Sequence, residues 1–179
     1  MSFNFCCTRN SLAALLMLAL STNAFALDWH EALPNATPVG QGELRWFGLK
    51  IYSARLWSQR APFDRRAPFA LELTYHRHIS RERFVQSSSE EIQRLSEHRF
   101  AADKLVAWEK LMSQAFPDVN EGDQLIGLFI PGQGCRFYDR NKMLAEINDP
   151  EFAEAFFSIW LDPRTRDAEL RAQLLGTEK

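Results

Sequence analysis

The chain has 179 residues, of which 46% are hydrophobic, 12% aromatic and 25% charged. These values disfavour a disordered tail, a collagen-like fibre and a coiled coil. The 21 basic and 23 acidic residues give a net charge of −2, which leaves no cationic excess for a phosphate backbone, so we expect no nucleic-acid partner.

The first 26 residues have the pattern of a cleaved secretory signal peptide. Arg9 precedes an apolar run over residues 11–20, and Ala24-Phe25-Ala26 supplies a small-x-small cleavage site. The run is about half of the roughly 20 apolar residues that a membrane-spanning helix needs. We therefore predict cleavage near Ala26, a periplasmic or secreted mature chain with no membrane span, and a single domain over residues 27–179.

Two stretches before residue 80 predict β-strands. Apolar and polar residues alternate over 40–57, which predicts two strands or one long strand bent at Gly48. Residues 68–76 predict a further strand, because every second side chain is apolar or aromatic and shares one face. The arginine-rich connection over 58–67 is predicted to be solvated.

Two helices are predicted next. Ser80 can cap a helix that extends to Leu95, and the serine run at 87–89 could interrupt it. Residues 105–115 place apolar side chains at three- and four-residue steps, which predicts an amphipathic helix ended by Pro117.

The second half repeats the order of strands and then helices. Residues 124–130 are nearly all apolar and predict a central strand covered on both faces, and 135–138 with 142–147 predict a hairpin. Asp149 begins a predicted helix, and a last helix ends before Gly176. This order without βαβ alternation predicts an α+β fold.

Three motifs could indicate metal binding, a reactive cysteine or phosphate binding, but each is better explained by a structural role. His76 and His78 could start a metal site, but no third ligand has a suitable spacing, so we expect a polar strand end and no metal. Cys135 is the only cysteine after the apolar run, which excludes an intramolecular disulfide, and we predict a small buried residue. The turn at 132–134 lacks the lysine and helix of a phosphate-binding loop. We predict no cofactor.

Arginines concentrate in the first half of the mature chain. A guanidinium beside an aromatic strand pair can bind a carboxylate head group bidentately. The alternative is a solvated surface. The run comprises Arg55, Arg60, Arg65, Arg66, Arg77, Arg81 and Arg83.

Four sequence segments together resemble the chalcone isomerase-like proteins, in particular their exported bacterial branch. These segments are residues 48–57, 73–77, 122–134 and 149–161. The resemblance implies an open-faced β-sandwich, in which a large antiparallel sheet is covered on one side by a layer of helices. It also implies a ligand cleft between the sheet and these helices.

The sequence lacks the catalytic residues of the family's plant enzymes, so the resemblance implies the fold and the cleft but not the enzyme activity. The plant enzymes close a flavonoid ring with an arginine before the strand pair, a threonine on it, and a tyrosine and an asparagine on the following helix region. Alignment on Tyr52 puts Phe47 near the threonine position, and no arginine lies in 35–41. The helix over 80–95 contains neither tyrosine nor asparagine.

Relatives without the catalytic set include fatty-acid-binding proteins. Our leading hypothesis is an exported, non-catalytic domain that binds a small apolar or fatty-acid-like acyl ligand between sheet and helices. The candidate ligand-binding residues are Tyr52, Tyr75, Arg77, Phe47 and Trp46.

Two alternatives stay open at this point. One is an isomerase or intramolecular lyase with a rearranged active site, in which Tyr75 or His76 acts as acid or base. The other is an interaction module that docks onto an envelope partner through its helices or its arginine-rich connection.

Overall fold

A computed structural model describes residues 28–97 and 99–177. The predicted signal peptide lies outside the described residues. The elements, in chain order, are α1 (Trp29–Ala32), β1 (Thr37–Trp46), β2 (Leu49–Ser58), β3 (Phe69–Tyr75), α2 (Arg81–Leu95), α3 (Ala102–Ala115), β4 (Gln124–Ile130), β5 (Gly134–Tyr138), β6 (Met143–Ile147), α4 (Pro150–Leu161) and α5 (Ala168–Leu174).

The six strands form one antiparallel sheet whose strands lie in chain order, from β1 to β6. Residues 40–57 form two strands rather than one bent strand, because Phe47 and Gly48 take φ angles of 48° and 77°. Two successive residues with positive φ reverse a chain in a tight hairpin turn. The prediction of a central strand is confirmed, since β4 lies between β3 and β5 and is mostly buried.

A layer of helices covers one face of the sheet, as the resemblance implied. Every second residue of β3 from Phe69 to Tyr75 belongs to this main core, which confirms the predicted face. Aromatic side chains of α4 meet aromatic side chains of the sheet, with Phe157 at 5.1 Å from Phe69 and Phe156 at 5.2 Å from Phe137, centroid to centroid. Many of the chain's aromatic side chains therefore fill the core.

Side-chain caps fix where two of the helices begin. The Ser80 hydroxyl accepts from the Arg83 amide at 3.3 Å, and the Asp149 carboxylate accepts from the Phe152 amide at 3.0 Å. The helix α2 is continuous through its serine run, because the Ser87 hydroxyl donates to the Arg83 carbonyl at 2.9 Å and stays within the helix.

Two glycines of β1 allow α5 to approach the sheet closely. A Cβ atom added at Gly40 would lie 2.1 Å from the backbone oxygen of Gln173, and one at Gly42 would lie 2.8 Å from a methyl group of Leu170. Any larger residue at Gly40 would force α5 away, because the atom it meets is backbone.

The other face of the sheet, called the outer face below, is only partly covered. The short helix α1, which the sequence pattern did not predict, places Trp29 and Leu33 against Ala70, Ile126 and Leu128 in a second, smaller core. Among the residues described, no helix has the length and apolarity to cross a membrane.

Candidate functional site

Tyr52 and Tyr75 lie opposite each other on β2 and β3 and face the helical layer, with ring centroids 5.9 Å apart. The indole N–H of Trp160 donates to the Tyr52 hydroxyl at 2.9 Å. The Tyr75 hydroxyl is buried and has no hydrogen-bond partner among the described residues. Burial raises the pKa of both phenols, so both stay protonated at neutral pH and can donate hydrogen bonds.

The other three sequence-predicted residues lie apart from this tyrosine pair. Trp46 and Phe47 are at the end of the β1–β2 hairpin, where their side chains are 61% and 88% exposed. Arg77 is exposed in the segment after β3. The structure thus brings two of the five residues together in the interior and leaves three on the surface.

His76 and Tyr75 belong to different surroundings. The His76 ring lies 2.9 Å from the hydroxyl of Ser53, and the residue follows Tyr75 directly, so the two side chains point to opposite faces of the sheet. They cannot act as an acid and base on one ligand.

Cys135 is buried as predicted, and burial raises the pKa of its thiol. The described residues hold no group of three potential metal ligands.

A cleft of about 670 Å³ opens between the helical layer and the sheet. It lies where β3 begins and β4 ends, and its apolar lining comes from both layers. Arginines lie at its rim: Arg65, Arg66, Arg99 and Arg164. Three acidic residues line it as well: Glu97, Glu154 and Asp162. The apolar lining comprises Phe69, Ile92, Leu95, Phe100, Phe129 and Phe157.

Arg65 is the half-buried arginine of this rim, and its guanidinium has donors left to bind a ligand. Its side chain donates to the Ser158 hydroxyl at 2.5 Å, and within the described part of the chain it has no ion pair. Arg164, in contrast, is held by Asp162 at 3.0 Å. Like Arg65, Arg99 has no ion pair among the described residues, but it is exposed and its guanidinium lies 4.7 Å from the centroid of the Phe100 ring. Burial lowers the pKa of Arg65, although the nearby carboxylates of Asp162 and Glu154 act in the opposite direction, and a guanidinium remains charged in proteins.

The cleft and the tyrosine pair are at opposite ends of β3. Phe69 begins this strand and Tyr75 ends it, and six steps of about 3.3 Å separate the two by about 20 Å. One ligand head group cannot contact both. The sequence had a signal for this cleft, because Arg65 belongs to the arginine run considered above, but the run alone did not separate it from the exposed arginines.

A six-stranded antiparallel sheet with helices on one face defines an α+β open-faced β-sandwich. The family model described as chalcone isomerase-like matches residues 45–176, so the chain belongs to the chalcone isomerase-like family. The resemblance to this family found in the sequence is thereby confirmed.

Among solved structures, the chain is similar to the crystal structure of a fatty-acid-binding protein from Arabidopsis thaliana, with a TM-score of 0.59 and 9% sequence identity. The similarity covers 79% of this chain and 87% of that one, and it shows a shared fold. The comparison with curated proteins gives no match.

Proposed function

We propose that this domain binds a fatty-acid-like ligand in the cleft, with the ligand's carboxylate on Arg65 and its acyl chain against Phe69, Phe129 and Phe157. The observation that carries this proposal is a half-buried guanidinium without an ion pair among the described residues, placed beside an aromatic lining. An amphiphilic acid has a head group and a chain that match these two features.

The size and chemistry of the cleft support this class of ligand. Pockets for small molecules usually have volumes of about 300–1,000 Å³, are mainly apolar, and carry a few polar groups that orient the ligand. A guanidinium can form two parallel hydrogen bonds with a carboxylate, and charge-assisted bonds of this kind are about twice as strong as neutral ones. An alcohol of the same chain length cannot form this pair.

The tyrosine pair is a second candidate position for the head group. The unpartnered hydroxyl of Tyr75 could donate to a ligand oxygen, whereas its raised pKa opposes a role as a phenolate base. Tyr52 and Tyr75 are two of the candidate ligand-binding residues predicted from the sequence.

Arg65→Gln is expected to weaken binding of dodecanoate about 10- to 100-fold, because a hydrogen bond to a charged group contributes about 1.5–3 kcal/mol. Binding of dodecan-1-ol should change little. Isothermal titration calorimetry with both ligands measures the difference. The matched control is Arg55→Gln, since Arg55 donates to Gln41 on the outer face and should leave both affinities unchanged.

Equal dodecanoate affinity in the wild type and in Arg65→Gln would contradict this position for the carboxylate. If Tyr75→Phe then weakens binding, the head group lies at the tyrosine pair. If the wild type binds neither compound, the proposed function is wrong.

We also propose that the protein is exported, with a cleaved leader. The support is the sequence pattern of Arg9, the apolar run and the site ending at Ala26. Sequencing the amino terminus of protein isolated from its own cells should start near Leu27, and an intact leader on the cell-associated protein would contradict the proposal.

A further inference from the structure

The end of the β1–β2 hairpin exposes three large apolar side chains. They belong to the segment Trp46-Phe47-Gly48-Leu49, called the hairpin tip below, and the exposed fractions of Trp46, Phe47 and Leu49 are 61%, 88% and 53%. The tip lies beyond the body of the sheet, because β3 ends at Tyr75, which pairs with Tyr52. Its apolar side chains are therefore presented to solvent on a projection.

The conformation at Phe47 indicates that this exposure is not a by-product of folding. Its φ angle of 48° is in the left-handed region, which glycine and asparagine adopt more easily than an aromatic residue. Among the described residues, the only ring near Phe47 is that of Trp46, at 5.0 Å, and it is itself exposed. The fold gains no core packing from an aromatic residue at this unfavourable position, so an external contact is the better explanation.

Charged side chains lie one residue farther from the turn than the apolar ones, on both strands of the hairpin. Trp46 and Leu49 are paired across the hairpin, and the next pair is Arg45 with Lys50. Both cations contact the carboxylate of Glu43, at 2.8 Å and 2.5 Å, so the three groups together carry one positive charge. Aromatic residues next to Lys and Arg are typical of membrane-interface anchors, in which the rings lie at the boundary between headgroups and acyl chains and the cations lie near the phosphates.

We propose that the hairpin tip docks this domain onto a lipid bilayer surface by inserting Trp46, Phe47 and Leu49 into the interface. Two residues beyond the cation pair correspond to about 7 Å of strand, which fits the 5–10 Å to which apolar side chains enter the headgroup boundary.

The exposed area favours a bilayer over a folded protein partner. Two rings at these exposures present on the order of 300 Å², whereas a stable protein interface buries about 800 Å² on each partner. The tip is also convex and would need a preformed groove in a protein. A bilayer can accommodate the same projection without one.

Docking is independent of the ligand proposal. The tip is at the start of β2, whereas the cleft is near its other end, because Ser58 pairs with Phe69. A docked domain would thus hold the cleft away from the bilayer, and loss of one property should leave the other unchanged.

Vesicle flotation tests docking, with protein purified from its own cells after sequencing has established that its amino terminus lies near Leu27. The vesicles contain phosphatidylcholine alone or phosphatidylcholine with phosphatidylglycerol. We expect the double variant Trp46→Thr/Phe47→Asn to lower the partition coefficient at least tenfold in both compositions, because apolar insertion contributes most of the attraction. Asn is chosen because it suits the turn conformation. The matched control Val106→Asn removes an apolar side chain that is 63% exposed on α3 and should bind as the wild type does.

The variants and the wild type share the same amino terminus, so residues 1–26 cannot account for a difference between them. A second measurement locates the tip in the bilayer. Lipids with brominated acyl chains should quench part of the tryptophan fluorescence of the wild type. Trp46→Phe should reduce this quenching while the protein still binds the vesicles. Equal partition of the double variant and the wild type would overturn the proposal. A dimer of the wild type that is absent in the double variant would also overturn it, because the tip would then bind a second copy of the chain. Sedimentation velocity without vesicles measures this.

Discussion

Phe156→Ala is expected to lower the free energy of unfolding by about 3–5 kcal/mol, the usual cost of truncating a buried phenylalanine. Phe156 lies on α4 at the centre of the aromatic core and is 3% exposed. Removing its ring leaves a cavity between helices and sheet that rigid neighbouring rings cannot fill. Its ring centroid is 5.2–5.8 Å from those of Phe116, Phe137, Phe152, Phe157 and Trp160.

Urea unfolding at neutral pH, followed by circular dichroism, measures this loss. Val106→Ala is the control, because Val106 is exposed on α3 and a surface substitution usually changes stability by no more than about 0.5 kcal/mol. A loss below 1 kcal/mol at Phe156 would mean that α4 is not packed on the sheet as described.

Asp149→Ala is expected to cost about 2–4 kcal/mol, because one carboxylate has two roles. It caps α4 by accepting from the amides of Glu151 and Phe152, both at 3.0 Å, and it accepts from the indole N–H of Trp108 at 2.8 Å. Loss of a cap costs about 1 kcal/mol, and leaving the buried indole without a partner adds about 1–3 kcal/mol. Urea unfolding measures the sum, and a cost under 1 kcal/mol would contradict it.

The contribution of Asp149 should depend on pH. Partial burial pushes its pKa up, but the hydrogen bonds from Phe152, Trp108 and Glu151 outweigh burial, so its pKa lies below the ordinary value. Because the folded pKa is the lower one, this stabilisation is fully present above the unfolded pKa of about 4 and is lost as pH falls through the folded pKa.

The difference in stability between the wild type and Asp149→Ala should therefore shrink as the pH is lowered from 7 to about 3. Asp149→Asn is the matched control, since it keeps an acceptor for the cap without a charge that titrates. A difference that stays constant with pH would contradict the role of the carboxylate charge.

The strands and most helix boundaries were predictable because they depend on local patterns. Alternation over 68–76 placed β3 and its buried face correctly, and Asp149-Pro150 marked the start of α4. The helix α1 escaped prediction because a four-residue helix is too short for periodicity. The role of Gly40 depends on the distance to α5, a contact between residues far apart in the chain.

The candidate site was harder to predict than the fold. Alternation indicated that Tyr52 and Tyr75 face the interior, and the structure pairs them. The same alternation could not show that the hairpin tip projects beyond β3. What distinguishes Arg65 from its neighbours is its half-burial together with its lack of an ion pair among the described residues. Its contact with Ser158 depends on where α4 packs, which a local pattern does not show.

Photo-crosslinking with a dodecanoic acid that carries a diazirine in its chain tests the proposed ligand site most directly. After irradiation and peptide mapping by mass spectrometry, we expect the label on the cleft lining, within residues 92–97, 99–100, 129–132 or 154–158. Excess unlabelled dodecanoate should abolish this labelling. Competable labelling at Tyr52, Tyr75 or Trp160, with none on the cleft lining, would contradict the account.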